Sequence, residues 1–327
     1  MDFLKINKKY KGVIYIILSA FCFAFMNMFV KLSGDLPTGE KAFFRNFVAF
    51  FFALFMVLKD RKSFHFNPKN LGPLFLRSLF GVFGILCNFY AIDHLVLSDA
   101  SILNKMSPFF VIIFSFIILK EKLSLPQGLI VLGAFIGALF VIKPDFSNAE
   151  WFPSLAGFIG GACAGFAYTM VRLLGTRGEK GSFIVLFFSG FSTVVLLPLM
   201  LMDFKMFTPF QLFALIMAGL SAAGGQFGIT AAYTYAPAKE VSVYDYSQII
   251  FAAGLGFFIF GDVPDIYSFI GYGIIILMAI IMFAYNNHLW MFKNKKVKWK
   301  NWPPFRRSIL FFGYLVVTGM LMVNEQT

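Results

Sequence analysis

The chain repeats itself at an offset of 141 residues, and the repeat holds without gaps from the first apolar run to the tenth. It pairs Lys31 with Arg172, Cys22 with Cys163, Pro68 with Pro209, Gly84 with Gly225, Ala91 with Ala232, Ser101 with Ser242 and Glu121 with Asp262. Identities alone carry little weight in a sequence so rich in Phe, Leu and Ile. The reading rests on the coincidence of three further features: prolines ahead of helices, charges at their ends and the boundaries of the apolar runs. Each copy holds five runs, an odd number, so the second copy must be inserted upside down relative to the first. Inverted repeats of this kind place a binding site at their interface near the bilayer midplane, with access alternating as one bundle rocks against the other.

The runs fall at 12–31, 40–58, 72–92, 99–119, 126–142, 154–173, 182–202, 209–234, 241–260 and 266–285, each near the length that a bilayer core requires. With 59% hydrophobic and only 13% charged residues, the chain has about half the charge of a soluble domain. The expected fold is an all-α integral membrane protein, with ten transmembrane helices forming two inverted five-helix repeats around a central cavity. Its parts are a cytoplasmic N-terminus (1–11), a first repeat (12–142), a second repeat (154–285) and a basic cytoplasmic tail (286–327). The run after Lys5, Lys8, Lys9 and Lys11 is as long as a full span and lacks a small-x-small cleavage site, so it reads as a retained first helix.

Positive charge orients the chain. With the N-terminus inside, 21 Lys and Arg fall in cytoplasmic segments and four outside, leaving Arg45, Arg77 and Lys105 within spans. That asymmetry predicts a multi-pass protein of the cell membrane with a cytoplasmic N-terminus. The net charge of +12 therefore belongs to topology and not to nucleic-acid binding. In the tail, Lys293–Arg307 with Trp299 and Trp302 suits the anionic inner membrane surface. Residues 308–323 are apolar but short for a span and are expected to form an interfacial helix. Cys22, Cys87 and Cys163 all lie inside spans and read as small packing residues, with no disulfide framework and no metal cluster.

The candidate site comes from two repeat-mate stretches, Ser98–Glu121 and Glu240–Asp262. The first carries Asn104, Lys105, Ser107 and Pro108 at membrane depth, and the second carries Asp245, Tyr246 and Gln248. Asn104 and Asp245 are mates, so a two-fold axis brings Lys105 beside Asp245. An unpaired charge in hydrocarbon costs at least about 2.5–3.5 kcal/mol on insertion scales, and mutual pairing across a wet cavity relieves it. One reading is a site that offers a cation to a substrate carboxylate and an anion to its amine or to a proton. The other is a structural ion pair, or side chains reaching the interface.

Around this pair, Asn27, Asn88, Tyr90, Tyr168, Gln226, Tyr233 and Tyr244 supply polar and aromatic groups, and tyrosine faces attract ammonium groups. Tyr233 and Tyr235 lie near a span end and equally suit an interfacial belt. Pro108, in the middle of span four, is expected to bend it, and Arg45 to cap the outer mouth of the cavity. Arg77 lies near an inner span end and is expected to reach lipid phosphates. Glycines at 133, 137, 157, 160, 161, 165, 219, 224, 225 and 228 mark close helix packing, and Ser221–Gly228 is the stretch where a helix would open toward a ligand.

Several short patterns resemble a known family. They are AFFRNF (Ala42–Phe47), LRSLFGVFG (Leu76–Gly84), Asp99-Ala100-Ser101, Ser107-Pro108-Phe109, Leu119-Lys120-Glu121 and Ile142-Lys143-Pro144, with Tyr244–Ser247 and Phe260-Gly261-Asp262 in the second copy. On these the chain resembles the EamA-type members of the drug/metabolite transporter superfamily over about residues 12–285. Ile249 departs from that pattern, standing where the family has the proline matching Pro108. The resemblance implies a secondary carrier of small metabolites without a cofactor, a monomer or homodimer, with a proton as candidate coupling ion. Amino-acid-like or other zwitterionic and amphipathic solutes are the expected substrates, and drug or toxic-metabolite export is the alternative.

A rival class is an intramembrane aspartyl protease built on Tyr244-Asp245 and Gly261-Asp262. Those carboxylates stand 17 residues apart, about 25 Å along a helix, whereas a catalytic pair must approach within a few ångströms. No GxxxxGK[ST] loop occurs, so ATP-driven transport by this chain alone is unsupported.

Overall fold

Within a bilayer, a single segment satisfies its own backbone only as a helix. The computed structural model describes residues 8–59, 67–94, 103–142, 151–261 and 263–286. In chain order its helices are α1 (Lys8–Leu32), α2 (Thr38–Lys59), α3 (Leu71–His94), α4 (Ser107–Leu119), α5 (Leu125–Ile142), α6 (Trp151–Thr176), α7 (Gly181–Met202), α8 (Pro209–Tyr235), α9 (Ala238–Phe260) and α10 (Ile266–Asn286). Among the described residues, nine helices are long and apolar enough to cross a membrane, α4 is a shorter apolar helix, and no strand occurs. The ten-helix, all-α expectation therefore holds. The expected interfacial helix at 308–323 and the residue Asp262 lie outside the described residues. The described residues up to Ala279 form one unit, and Ile280–Asn286 is helical.

Helix boundaries follow local chemistry. Thr208 caps α8 in a reciprocal box with Gln211, Pro209 occupies the first turn, and the two side chains satisfy two otherwise orphaned N–H groups. Pro68 opens a 3₁₀ turn that runs directly into α3, as its repeat mate Pro209 opens α8. After α6 the chain turns at Gly178 with φ +80°, a conformation that costs glycine little.

The internal repeat is visible in the packing. Ser19 on α1 donates to the Gly225 carbonyl on α8 at 2.7 Å. Shifting both positions by the repeat gives Gly160 and Gly84, where α6 meets α3, and a Cβ at Gly84 would stand 3.2 Å from the Gly160 carbonyl. Likewise a Cβ at Gly133 on α5 would stand 2.6 Å from the Met278 sulfur on α10, and in the mate pair a Cβ at Gly137 would stand 3.0 Å from Ile274. Small residues let these backbones approach where no hydrophobic force drives helices together. Outward, Phe51, Phe55, Phe116 and Ile117 are 52–62% exposed, an apolar surface suited to lipid.

Two expectations about local form change. Ser221–Gly228 does not open: α8 is continuous through it, and Cβ atoms at Gly224, Gly225 and Gly228 would meet Cys22, Phe23 and Ser19. These glycines serve close packing of α8 on α1. Pro108 does not bend a continuous helix either. Leu103 and Asn104 are helical, Lys105 and Met106 form a turn, and α4 starts anew at Ser107 with Pro108 in its first turn. A proline there fits the helix start, because an N–H in the first turn has no intrahelical acceptor.

Candidate functional site

Both repeat-mate helices are interrupted at the level of their polar residues. In the first copy the break is the Lys105-Met106 turn, closed by Met106 N–H to the Leu103 carbonyl at 3.2 Å and followed by Phe109 N–H to the Met106 carbonyl at 3.0 Å. In the second copy Ser242–Tyr246 is a 3₁₀ stretch inside α9. The second copy breaks without a proline. Ser242 Oγ donates to the Ala238 carbonyl and Ser247 Oγ to the Tyr244 carbonyl, and such back-bonding distorts helices.

The two breaks meet. Tyr246, fully buried, donates its hydroxyl to the Lys105 carbonyl at 3.1 Å. These residues are repeat mates, and a residue touches its own mate only beside the axis relating the copies. Lys105 Nζ lies 3.2 Å from Asp245 Oδ2 and donates to Gln248 Oε1 at 2.7 Å. The side chains of the pair are 14% and 10% exposed. An ammonium with two oxygen partners, one of them anionic, avoids most of the cost of an isolated intramembrane charge. Asn104, in the turn of helix before Lys105, is half-buried, and its carbonyl lies against Gly161 of α6.

A second polar group adjoins the first through Tyr168. The Tyr168 ring stacks on Tyr233 at 5.6 Å between centroids, and Asp245, Arg77 and Arg45 all lie within electrostatic range of its hydroxyl. Arg77 is 2% exposed, donates Nη2 to Gln226 Oε1 at 3.0 Å, and places Cζ 3.9 Å from the Phe188 ring centroid and 6.0 Å from that of Tyr168. It does not reach for lipid phosphate. The sequence carried a signal for this: counted from Pro68, Arg77 lies nine residues in, about 13 Å along the helix, too deep to stretch out to the interface. Tyr233 belongs to this group too, being 1% exposed, while Tyr235 is exposed and stacks on Tyr15. Arg45 keeps some accessible surface while its Nε is buried without a hydrogen-bond partner. It lies within electrostatic range of Arg77 and Tyr168.

The remaining candidates are placed differently. Asn88 Oδ1 is buried without a partner, whereas Asn27, the repeat mate of Tyr168, is exposed on α1. Tyr90 is 37% exposed, stacks on His94 at 4.1 Å and meets Phe152 edge-on. Its ring belongs to an aromatic cluster at the end of α3, and no contact joins it to Lys105. Tyr244 is 6% exposed within the 3₁₀ stretch.

At the far end of α4 a further tether was not anticipated. Arg172 Nε meets Glu121 Oε1 at 2.9 Å, and its Nη1 donates to the Tyr233 and Thr234 carbonyls at 3.1 Å each. One guanidinium thus joins the end of α4, the end of α6 and the end of α8. Lys239 adds a bond from α9 to the Lys122 carbonyl at 2.6 Å. These contacts close the end of the bundle where the second copy's break begins.

The chain is similar to known proteins along nearly its whole described length. The model of the EamA-like transporter family matches residues 10–143 and again 151–285. The pseudopaline exporter CntI of Pseudomonas aeruginosa is 33% identical over 283 residues, 86% of this chain and 96% of that protein. The riboflavin transporter of Vibrio cholerae is 26% identical over 82% of this chain and 91% of its own length. The S-adenosylmethionine uptake transporter of Rickettsia prowazekii is 24% identical over 84% and 92%. A solved crystal structure superposes with a TM-score of 0.72 over 84% of this chain and 98% of that one at 11% identity, which is evidence for the fold.

Proposed function

The chain belongs to the EamA-like transporter family, and from this premise we propose that it is a secondary carrier for small zwitterionic or amphipathic metabolites, working by alternating access. As a member it is a multi-pass membrane transporter, and its substrates are small molecules like those for which its relatives are named. The observation that carries the finer reading is the Lys105–Asp245–Gln248 group at the meeting of two broken helices. A cation and an anion that face each other can part to receive a solute, Lys105 taking a carboxylate and Asp245 an ammonium. The stacked rings of Tyr168 and Tyr233 offer a face to the same ammonium. Broken helices at the midplane are where inverted-repeat carriers bind solute and coupling ion, and Asp245 is the candidate for a coupling proton. The distribution of Lys and Arg supports a cytoplasmic N-terminus.

The Arg172–Glu121 tether supports alternating access, because it closes one end of the bundle with a link that substrate-driven rocking could break. The test is transport by the purified chain in proteoliposomes, using a labelled panel of amino acids and related amines with and without a pH gradient. A carrier gives saturable flux that is accelerated by the same solute on the opposite side. Flux that neither saturates nor responds to solute on that side would show a channel and contradict this reading.

A further inference from the structure

Lys105 and Asp245 balance each other's charge, but the two guanidinium groups linked to them through Tyr168 are not balanced. Arg77 uses one nitrogen on the neutral oxygen of Gln226 and otherwise lies against the Phe188 ring. Its Nε is buried without a partner, and so is Nε of Arg45. The two cations are within electrostatic range of each other. Among the described residues no carboxylate forms an ion pair with either: Asp245 is held by Lys105, Glu121 by Arg172, Glu179 accepts from Asn70, and the buried Glu40 accepts from the Lys205 N–H. A guanidinium cannot shed its proton to escape burial, and aromatic faces offset only part of the lost hydration. With Lys105 included, the region holds three cations against one anion, an excess of two positive charges.

We propose that Arg45 and Arg77 form an anion subsite, and that the carried solute is an amine bearing at least two carboxylates. One carboxylate lies in the fork of the arginines and another against Lys105, with the amine toward Asp245. The planar guanidinium matches a carboxylate through paired N–H groups, and both unpartnered Nε atoms gain an acceptor when the solute is bound. This inference rests on the proposed reading of Lys105 and Asp245 as the solute site, and it narrows the substrate class from zwitterions to amino-dicarboxylates and larger amino-polycarboxylates.

The test compares glutamate with glutamine, which differ by one carboxylate, in calorimetric titrations of the full chain in nanodiscs, with inorganic phosphate as a competing anion. Glutamate is expected to bind at least tenfold more tightly than glutamine. Arg77→Gln and Arg45→Gln should each bring that ratio close to one, and Arg77→Lys, which keeps the charge but loses the fork, should fall between. Because the readout is a ratio within one preparation, partial loss of folded protein does not mimic it. Lys105→Ala should weaken both probes by a similar factor. Equal affinity for the two probes, no binding of either, phosphate displacing glutamate more tightly than glutamate binds, or a ratio unchanged in both glutamine variants would overturn the subsite. If the arginine variants erase the ratio while Lys105→Ala and Asp245→Asn change nothing, the subsite stands and the Lys105–Asp245 reading falls.

Discussion

Lys105→Ala and Asp245→Asn are each expected to reduce solute flux at least tenfold, and the double variant Lys105→Met/Asp245→Met to abolish it while folding better than either single change. Each single substitution strands the opposite charge among mostly buried neighbours, with the side chains 14% and 10% exposed. Removing one partner of a buried pair costs about 3–5 kcal/mol, whereas replacing both by apolar residues is often neutral. Thermal unfolding in detergent and proteoliposome flux, measured on the same preparations, therefore separate the two roles. A purely structural pair would restore flux along with stability in the double variant. A solute site would restore stability alone.

The second large effect concerns glycine. Gly165→Ala is expected to destabilise the fold by about 2–3 kcal/mol, in the range of overpacked cores, and Gly165→Leu to prevent folding. A Cβ at Gly165 would stand 2.8 Å from the backbone nitrogen of Val111, besides touching Phe110. A backbone atom cannot swing aside as a side chain does, so α4 itself must move away from α6. Gly161 makes the same demand one turn earlier, where its Cβ would lie 2.5 Å from the Leu103 carbonyl. Both glycines hold the start of α4, and with it Lys105, against α6, where Thr169 Oγ1 bonds the Gly165 carbonyl at 2.9 Å. Gly254→Ala and Gly273→Ala are the controls, since nothing lies within 4 Å of a Cβ at either position. Both are helical and should gain up to about 1 kcal/mol. Melting temperatures of the variants in one detergent check all of these outcomes.

The architecture could be read from the sequence because lipid leaves few options. A chain of ten apolar runs must be helical, and the offset of 141 residues tied the halves together before any contact was known. The meeting of Lys105 and Asp245 was legible for the same reason: charges inside such runs need partners, and the repeat named who stood opposite. The depth of Arg77 depends on where its helix begins: the apolar run starts near residue 72, whereas Pro68 opens the helical segment, as its mate Pro209 opens α8. A proline within an apolar run can either kink a helix or start one, and at Pro108 only the Lys105-Met106 turn decides between them. The break in α9 had no proline to announce it and arises from the hydroxyls of Ser242 and Ser247. Tyr90 and Asn27 were grouped with the site by residue type alone, and type does not fix which face of a helix a side chain occupies.

The central claim is that two five-helix copies are inserted in opposite senses. Its most direct test is thiol labelling in intact cells of single cysteines at Lys59 and Asp203, the exposed ends of α2 and α7, in a chain whose Cys22, Cys87 and Cys163 are replaced. An impermeant reagent should reach position 203 from outside and position 59 only after the membrane is opened. Labelling of both positions from the same side would contradict the inverted repeat.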